Sequence, residues 1–80
     1  MFIRISKIND VKKFVNLANM SAHKIDVKNE QYCVDAKSLL GLFSLDLDKP
    51  VEVVIYGNME DTDAKDFIEG IAEFVVADPV

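Results

Sequence analysis

Few side chains in this 80-residue sequence could carry chemistry. There is one histidine, His23, and one thiol, Cys33. An imidazole can act as nucleophile, base or metal ligand, and a thiolate as nucleophile or ligand. Neither residue has the company such work needs. His23 and Cys33 form no recurring ligand spacing, so no metal site is expected. Nor is there a nucleophile–base pair, a paired carboxylate in a plausible cleft, or a glycine-rich phosphate loop. The sequence therefore reads as a non-enzyme without cofactors. Cys33 is expected on a strand with only Lys24 or Lys28 as basic neighbours, hence an unreactive thiol. Ser38 stands apart. It precedes an apolar run, where a hydroxyl caps a helix and where a phosphate would face free backbone N–H groups.

These residues sit in one small domain, 1–80, because the length leaves no room for a second. Half the chain is apolar and 29% is charged, a globular mix. A net charge of −5 argues against a nucleic-acid partner. No apolar run approaches a membrane span or a signal peptide, and a lone cysteine suits a reducing, cytoplasmic setting. Charge is uneven along the chain. Residues 1–45 hold seven bases and four acids (+3), and residues 46–80 hold two bases and ten acids (−8). Two solvated helix faces account for this, and a charged partner is the alternative.

Periodicity supplies the elements. Met1–Ser6 alternates at period two and predicts a strand. Asn9 is placed to cap a helix from about Asp10 to Met20, with Val11, Phe14, Val15 and Ala18 on one face. His23–Lys28 and Gln31–Ala36 predict a hairpin turning at Asn29-Glu30. Ser38 should cap a short helix through Leu39, Leu40, Leu42, Phe43 and Leu45. Val51–Tyr56 is rich in β-branched residues and predicts a strand. Asp61 or Thr62 should cap a last helix with Ala64, Phe67, Ile68, Ile71 and Val75 on one face. Gly70 inside it suggests a close approach of helix to sheet. The tail Ala77–Val80 should fray. The order is β-α-β-β-α-β-α. It implies an α+β, open-faced β-sandwich, a four-stranded antiparallel sheet covered on one face by helices.

The segment Val34–Gly57, VDAKSLLGLFSLDLDKPVEVVIYG, resembles the HPr family of the bacterial phosphotransferase system. That family has a lysine-serine pair, two aliphatic residues, glycine, two apolar residues and serine-leucine here. This chain has Lys37, Ser38, Leu39, Leu40, Gly41, Leu42, Phe43, Ser44 and Leu45. Glu52–Ile55 and Phe14-Val15 follow the family's spacing. The resemblance implies the HPr-like fold, a protein partner of the phosphotransferase or transcription-regulatory kind, and a docking patch at Lys37, Leu39, Leu40 and Phe43. It also implies Ser38 as a regulatory phosphorylation residue. Leu40 and Phe43 could equally be core, and Leu42 and Leu45 are read as core.

One family feature is missing. HPr proteins carry Gly-Leu-His-Ala-Arg-Pro before the first helix, and its histidine relays phosphate from enzyme I to sugar-transport subunits. Here the connection is Lys7-Ile8-Asn9-Asp10, with Lys7 at the histidine's place counted back from Phe14. His23 lies after that helix, on the predicted second strand, where a surface histidine is expected. The leading expectation is therefore a regulatory or binding module without histidine phosphotransfer. The alternatives are a phosphocarrier with a displaced acceptor and a structural or assembly module. By alternation, Phe2, Val54 and Tyr56 fall on the sheet's open face beside a polar rim of Lys24, Asp26 and Lys28. They form the self-association candidate for a homodimer.

Overall fold

A computed structural model describes residues 1–78. Its elements run β1 (Phe2–Ile3), α1 (Ile8–Met20), β2 (Ile25–Lys28), β3 (Cys33–Asp35), α2 (Leu39–Phe43), β4 (Val51–Ile55), α3 (Thr62–Gly70), a single 3₁₀ turn (Ala72–Phe74) and β5 (Val75–Val76). The strands form one sheet in the order β3-β2-β4-β1-β5, antiparallel at every pairing. β1 lies beside β4, with Phe2 opposite Glu52 and Ile3 opposite Val51.

The core follows the two periodicities. Ile3, Ile25, Val27, Val51 and Val53 point from the sheet to one side and are buried there. Val11, Phe14, Val15 and Ala18 of α1, Leu42 of α2, and Ala64 and Phe67 of α3 meet them from above. Phe14 and Phe67 join α1 to α3 edge to face, with ring centroids 5.8 Å apart. Leu42 and Leu45 are buried, as read from the sequence.

Five strands replace the expected four. After Gly70 the chain does not remain helical to Val75. It passes through the 3₁₀ turn, where Phe74 is buried, and then pairs Val75 and Val76 with β1. Val75 is exposed rather than part of a helix face. Two residues are too short to show alternation, which is why this strand escaped the pattern.

Other expectations shift locally. The first helix starts at Ile8, capped by Lys7 without a side-chain bond, so Asn9 lies inside it and is no cap. The hairpin turns over Asn29–Tyr32 rather than Asn29-Glu30. Asn29 Oδ1 accepts from the Gln31 and Tyr32 N–H groups at 2.8 Å each, and its own N–H donates to the Tyr32 carbonyl. Gly70 faces Leu17 of α1, so the close approach is helix to helix and not helix to sheet. Asp26, expected in a polar rim, is 8% exposed, and its carboxylate acts on the Tyr56 hydroxyl, raising that hydroxyl's pKa. Of the tail, Ala77 and Asp78 lie outside helix and strand, while Pro79 and Val80 fall outside the described residues.

Candidate functional site

Two places collect the residues singled out by the sequence: the short helix α2, and the connection into α1.

Ser38 is the N-cap of α2, and its Oγ accepts from the Gly41 N–H at 3.1 Å. The helix has one buried residue, Leu42. A helix this short can anchor little, so its other side chains divide between sheet and solvent. Leu39 packs partly against the core. Leu40 is 83% exposed and Phe43 46% exposed. Leu40 and Phe43 thus lie open, against the reading that made them core. Lys37 is drawn inward. Its Nζ donates to the Ser21 carbonyl at 2.8 Å, and its N–H donates to Asp35 Oδ1 at 2.8 Å. The Lys37 ammonium therefore staples the end of α1 to the entry of α2, while the exposed apolar surface is carried by Leu40 and Phe43.

The connection into α1 presents Lys7, Ile8 and Asn9 to solvent, with Asp10 in the first turn. The positive end of the helix dipole is available there, but a carboxylate sits in it. No imidazole is present: His23 belongs to the loop between α1 and β2 and lies beside the start of α3.

His23 is the largest departure from the sequence reading. It precedes β2 rather than lying on it, and its side chain is only 14% exposed. Nδ1 sits 2.9 Å from the Tyr56 carbonyl oxygen, which can only accept, so Nδ1 carries a proton. Nε2 lies 2.8 Å from Asp61 Oδ2 and 3.7 Å from Asp63 Oδ2. The Tyr56 carbonyl first, and the bond to Asp61 second, raise the His23 pKa above its ordinary value. The Asp61 carboxyl is lowered, chiefly because its Oδ1 accepts the Ala64 N–H as the cap of α3, at 2.7 Å. Asp63 Oδ2 accepts from Ser21 Oγ at 2.7 Å and from the Ala22 N–H at 3.1 Å. The three groups are 38 and 40 residues apart in sequence, so spacing could not join them. The one available signal was an Asp-x-Asp pair at a predicted helix start.

The uneven charge is met partly within the molecule. Lys13 of α1 pairs with Glu73, and His23 with Asp61 and Asp63. On the open face Phe2 and Val54 are half-buried and Tyr56 is exposed, with Lys24 Nζ 5.2 Å from its ring centroid. Phe2 has Glu52 and Val76 opposite it on its neighbouring strands, and Val54 has Asp26. Cys33 is an exposed free thiol opposite Lys28. No helix among the described residues is long and apolar enough to cross a membrane.

An antiparallel sheet roofed on one side by helices, with a serine-capped helical turn exposing two apolar side chains, defines an open-faced HPr-like sandwich. The family model described as the PTS HPr component phosphorylation site matches residues 9–77, and the chain belongs to the HPr family. Two solved structures share the fold. HPr-C-His from Thermoanaerobacter tengcongensis is 24% identical, with 91% of this chain and 90% of that one covered and a TM-score of 0.71. Crh, a catabolite repression protein of Bacillus subtilis solved as a swapped dimer, is 22% identical, with 94% and 88% covered and a TM-score of 0.64. No curated protein matches the chain.

Proposed function

We propose that this chain is a regulatory, protein-binding member of the HPr family that carries no phosphate on histidine. One observation carries the reading: the first turn of α1 offers Lys7, Asn9 and Asp10, and the chain's single imidazole is elsewhere. A lysine ammonium has no lone pair with which to take a phosphoryl group, and Asp10 repels an incoming phosphate. His23 is a poor substitute. Both of its ring nitrogens are engaged, and two carboxylates surround the nitrogen that would attack.

Binding would then fall to the surface around α2. Leu40 and Phe43 supply the apolar contact, Ser38 the regulated position, and Lys37 and Leu39 the underlying support. Burying Leu40 and Phe43 against a partner protein would contribute about 1.5–3 kcal/mol each. A phosphate on Ser38 would add charge at the edge of that contact, beside the free N–H groups of α2. Phe2, Val54 and Tyr56 remain the proposed self-association residues of a cytoplasmic homodimer, which the swapped dimer of Crh encourages without specifying the contact.

The experiment is mass spectrometry after incubation with phosphoenolpyruvate and enzyme I, and separately with HPr kinase and ATP. The first reaction should leave the chain unmodified, and the second should modify Ser38. Acid-labile phosphate from the first reaction that disappears in His23→Ala would overturn the proposal.

A further inference from the structure

The geometry points to a divalent transition-metal site formed by His23, Asp61 and Asp63, for an ion with the ligand preferences of zinc. One ligand atom from each of the three lies within 4.8 Å of the others. They come from two segments, the loop before β2 and the start of α3.

The ring is oriented as a metal-binding imidazole is. When Nδ1 donates to a backbone carbonyl, the neutral tautomer leaves its lone pair on Nε2, and that arrangement fixes both the tautomer and the ring plane in metal sites. Here the carbonyl is that of Tyr56, and Nε2 faces the two carboxylates with a proton shared toward Asp61 Oδ2, which an entering cation would displace. The carboxylates are oriented too. Asp61 spends Oδ1 on the Ala64 N–H, which leaves Oδ2 toward the ring, and Asp63 is fixed through Oδ2 itself, which accepts from Ser21 Oγ and the Ala22 N–H.

The spacing suits a small ion. Two ligands at about 2.1 Å from zinc, separated by a tetrahedral angle, stand about 3.4 Å apart. The observed separations from Nε2, 2.8 Å to Asp61 Oδ2 and 3.7 Å to Asp63 Oδ2, bracket that value. Shifts of a few tenths of an ångström would admit the ion. Charge agrees, since two carboxylates and a neutral imidazole offset a divalent cation. The Asp61 and Asp63 side chains are about two-fifths exposed, which leaves an entry path and room for water as the remaining ligand. Calcium and magnesium are the poorer fit, because they take oxygen ligands and this site offers a nitrogen.

The test is calorimetric titration with zinc chloride, and with magnesium chloride for comparison, at neutral pH. The Cys33→Ser background removes the exposed thiol as a competing ligand. Zinc should bind at one saturable site and magnesium should not. The His23 ring and the Asp61 and Asp63 amides should show the largest NMR shifts. His23→Ala and Asp63→Asn should abolish the site, and Ser21→Ala should weaken it about 10- to 100-fold. Absence of saturable zinc binding, or binding that survives His23→Ala, overturns the inference. If His23→Ala does not fold, the parent decides alone: zinc that leaves the His23 ring resonances unmoved overturns it equally.

Discussion

A Cβ on Gly57 would stand 2.6 Å from Nδ1 of His23, so the turn after β4 and the imidazole share space that only a glycine leaves open. The backbone agrees with the packing. Gly57 has φ +117°, a conformation that side-chain-bearing residues rarely adopt. The two constraints coincide because the ring must approach closely to reach the Tyr56 carbonyl, one residue earlier.

Gly57→Ala should therefore destabilise the protein through strain and through displacement of the ring. A cost of about 1–3 kcal/mol is expected for the backbone alone. Urea unfolding measures the loss, and the His23 ring resonances should move in the same variant. A neutral Gly57→Ala with unmoved resonances would show that the turn is freer than described.

Ser38→Ala removes the acceptor for the Gly41 N–H and should cost about 1 kcal/mol. Ser38→Asp keeps an acceptor in the same place and should stay near wild type in stability. The pair separates the cap from the proposed regulatory role. If Ser38→Asp alters partner binding at unchanged thermal stability, the effect belongs to charge at the surface and not to folding of α2.

Gly70 and Leu17 predict a coupled pair. A Cβ on Gly70 would lie 3.0 Å from Leu17 Cδ2 and 3.2 Å from Cδ1. In the wild type, Gly70→Ala should gain little from helix propensity, because the leucine tip must move. In a Leu17→Ala background the obstruction is gone, and the gain should approach about 1 kcal/mol. A double-mutant cycle by urea unfolding should return a coupling of about 0.5 kcal/mol or more. Strict additivity would remove Leu17 as the reason for the glycine.

Tyr56 should titrate above the ordinary tyrosine value, because its hydroxyl bonds to the Asp26 carboxylate, whose charge opposes a phenolate. The groups facing it are Asp26, Cys33 and Lys24. The sign follows from linkage. A group with a raised folded-state pKa contributes stability that is fully present below its unfolded value, near 10. That contribution is lost as pH rises through the folded value. Ultraviolet titration of the phenols should place Tyr56 above pH 10, and Asp26→Asn should lower it. An unchanged titration in Asp26→Asn would rule out this bond as the cause.

The sequence exposed the parts of this fold that repeat. Val11, Phe14, Val15 and Ala18 give α1 its buried stripe, and Ser38 marks the start of α2. The family followed from the run Lys37–Leu45. What stayed hidden had no period or no local partner. Val75 and Val76 form a strand because β1 needs a neighbour, a fact that lies at the other end of the chain. His23 reads as a surface residue until folding brings Asp61, Asp63 and the Tyr56 carbonyl around it. Asp26 lies on the face that alternation gives it yet is buried there, because alternation predicts direction and not what covers a side chain.

The sheet ends in very short strands, three residues of β3 on one side and two of β5 on the other. Each offers only a few unpaired backbone groups, too little ladder for an incoming strand to extend. Among the described residues the sheet therefore presents little edge for edge-to-edge strand pairing, the hazard that accompanies an open antiparallel sheet. A protein docking on this fold would instead meet side-chain surfaces, which sequence change can tune one residue at a time.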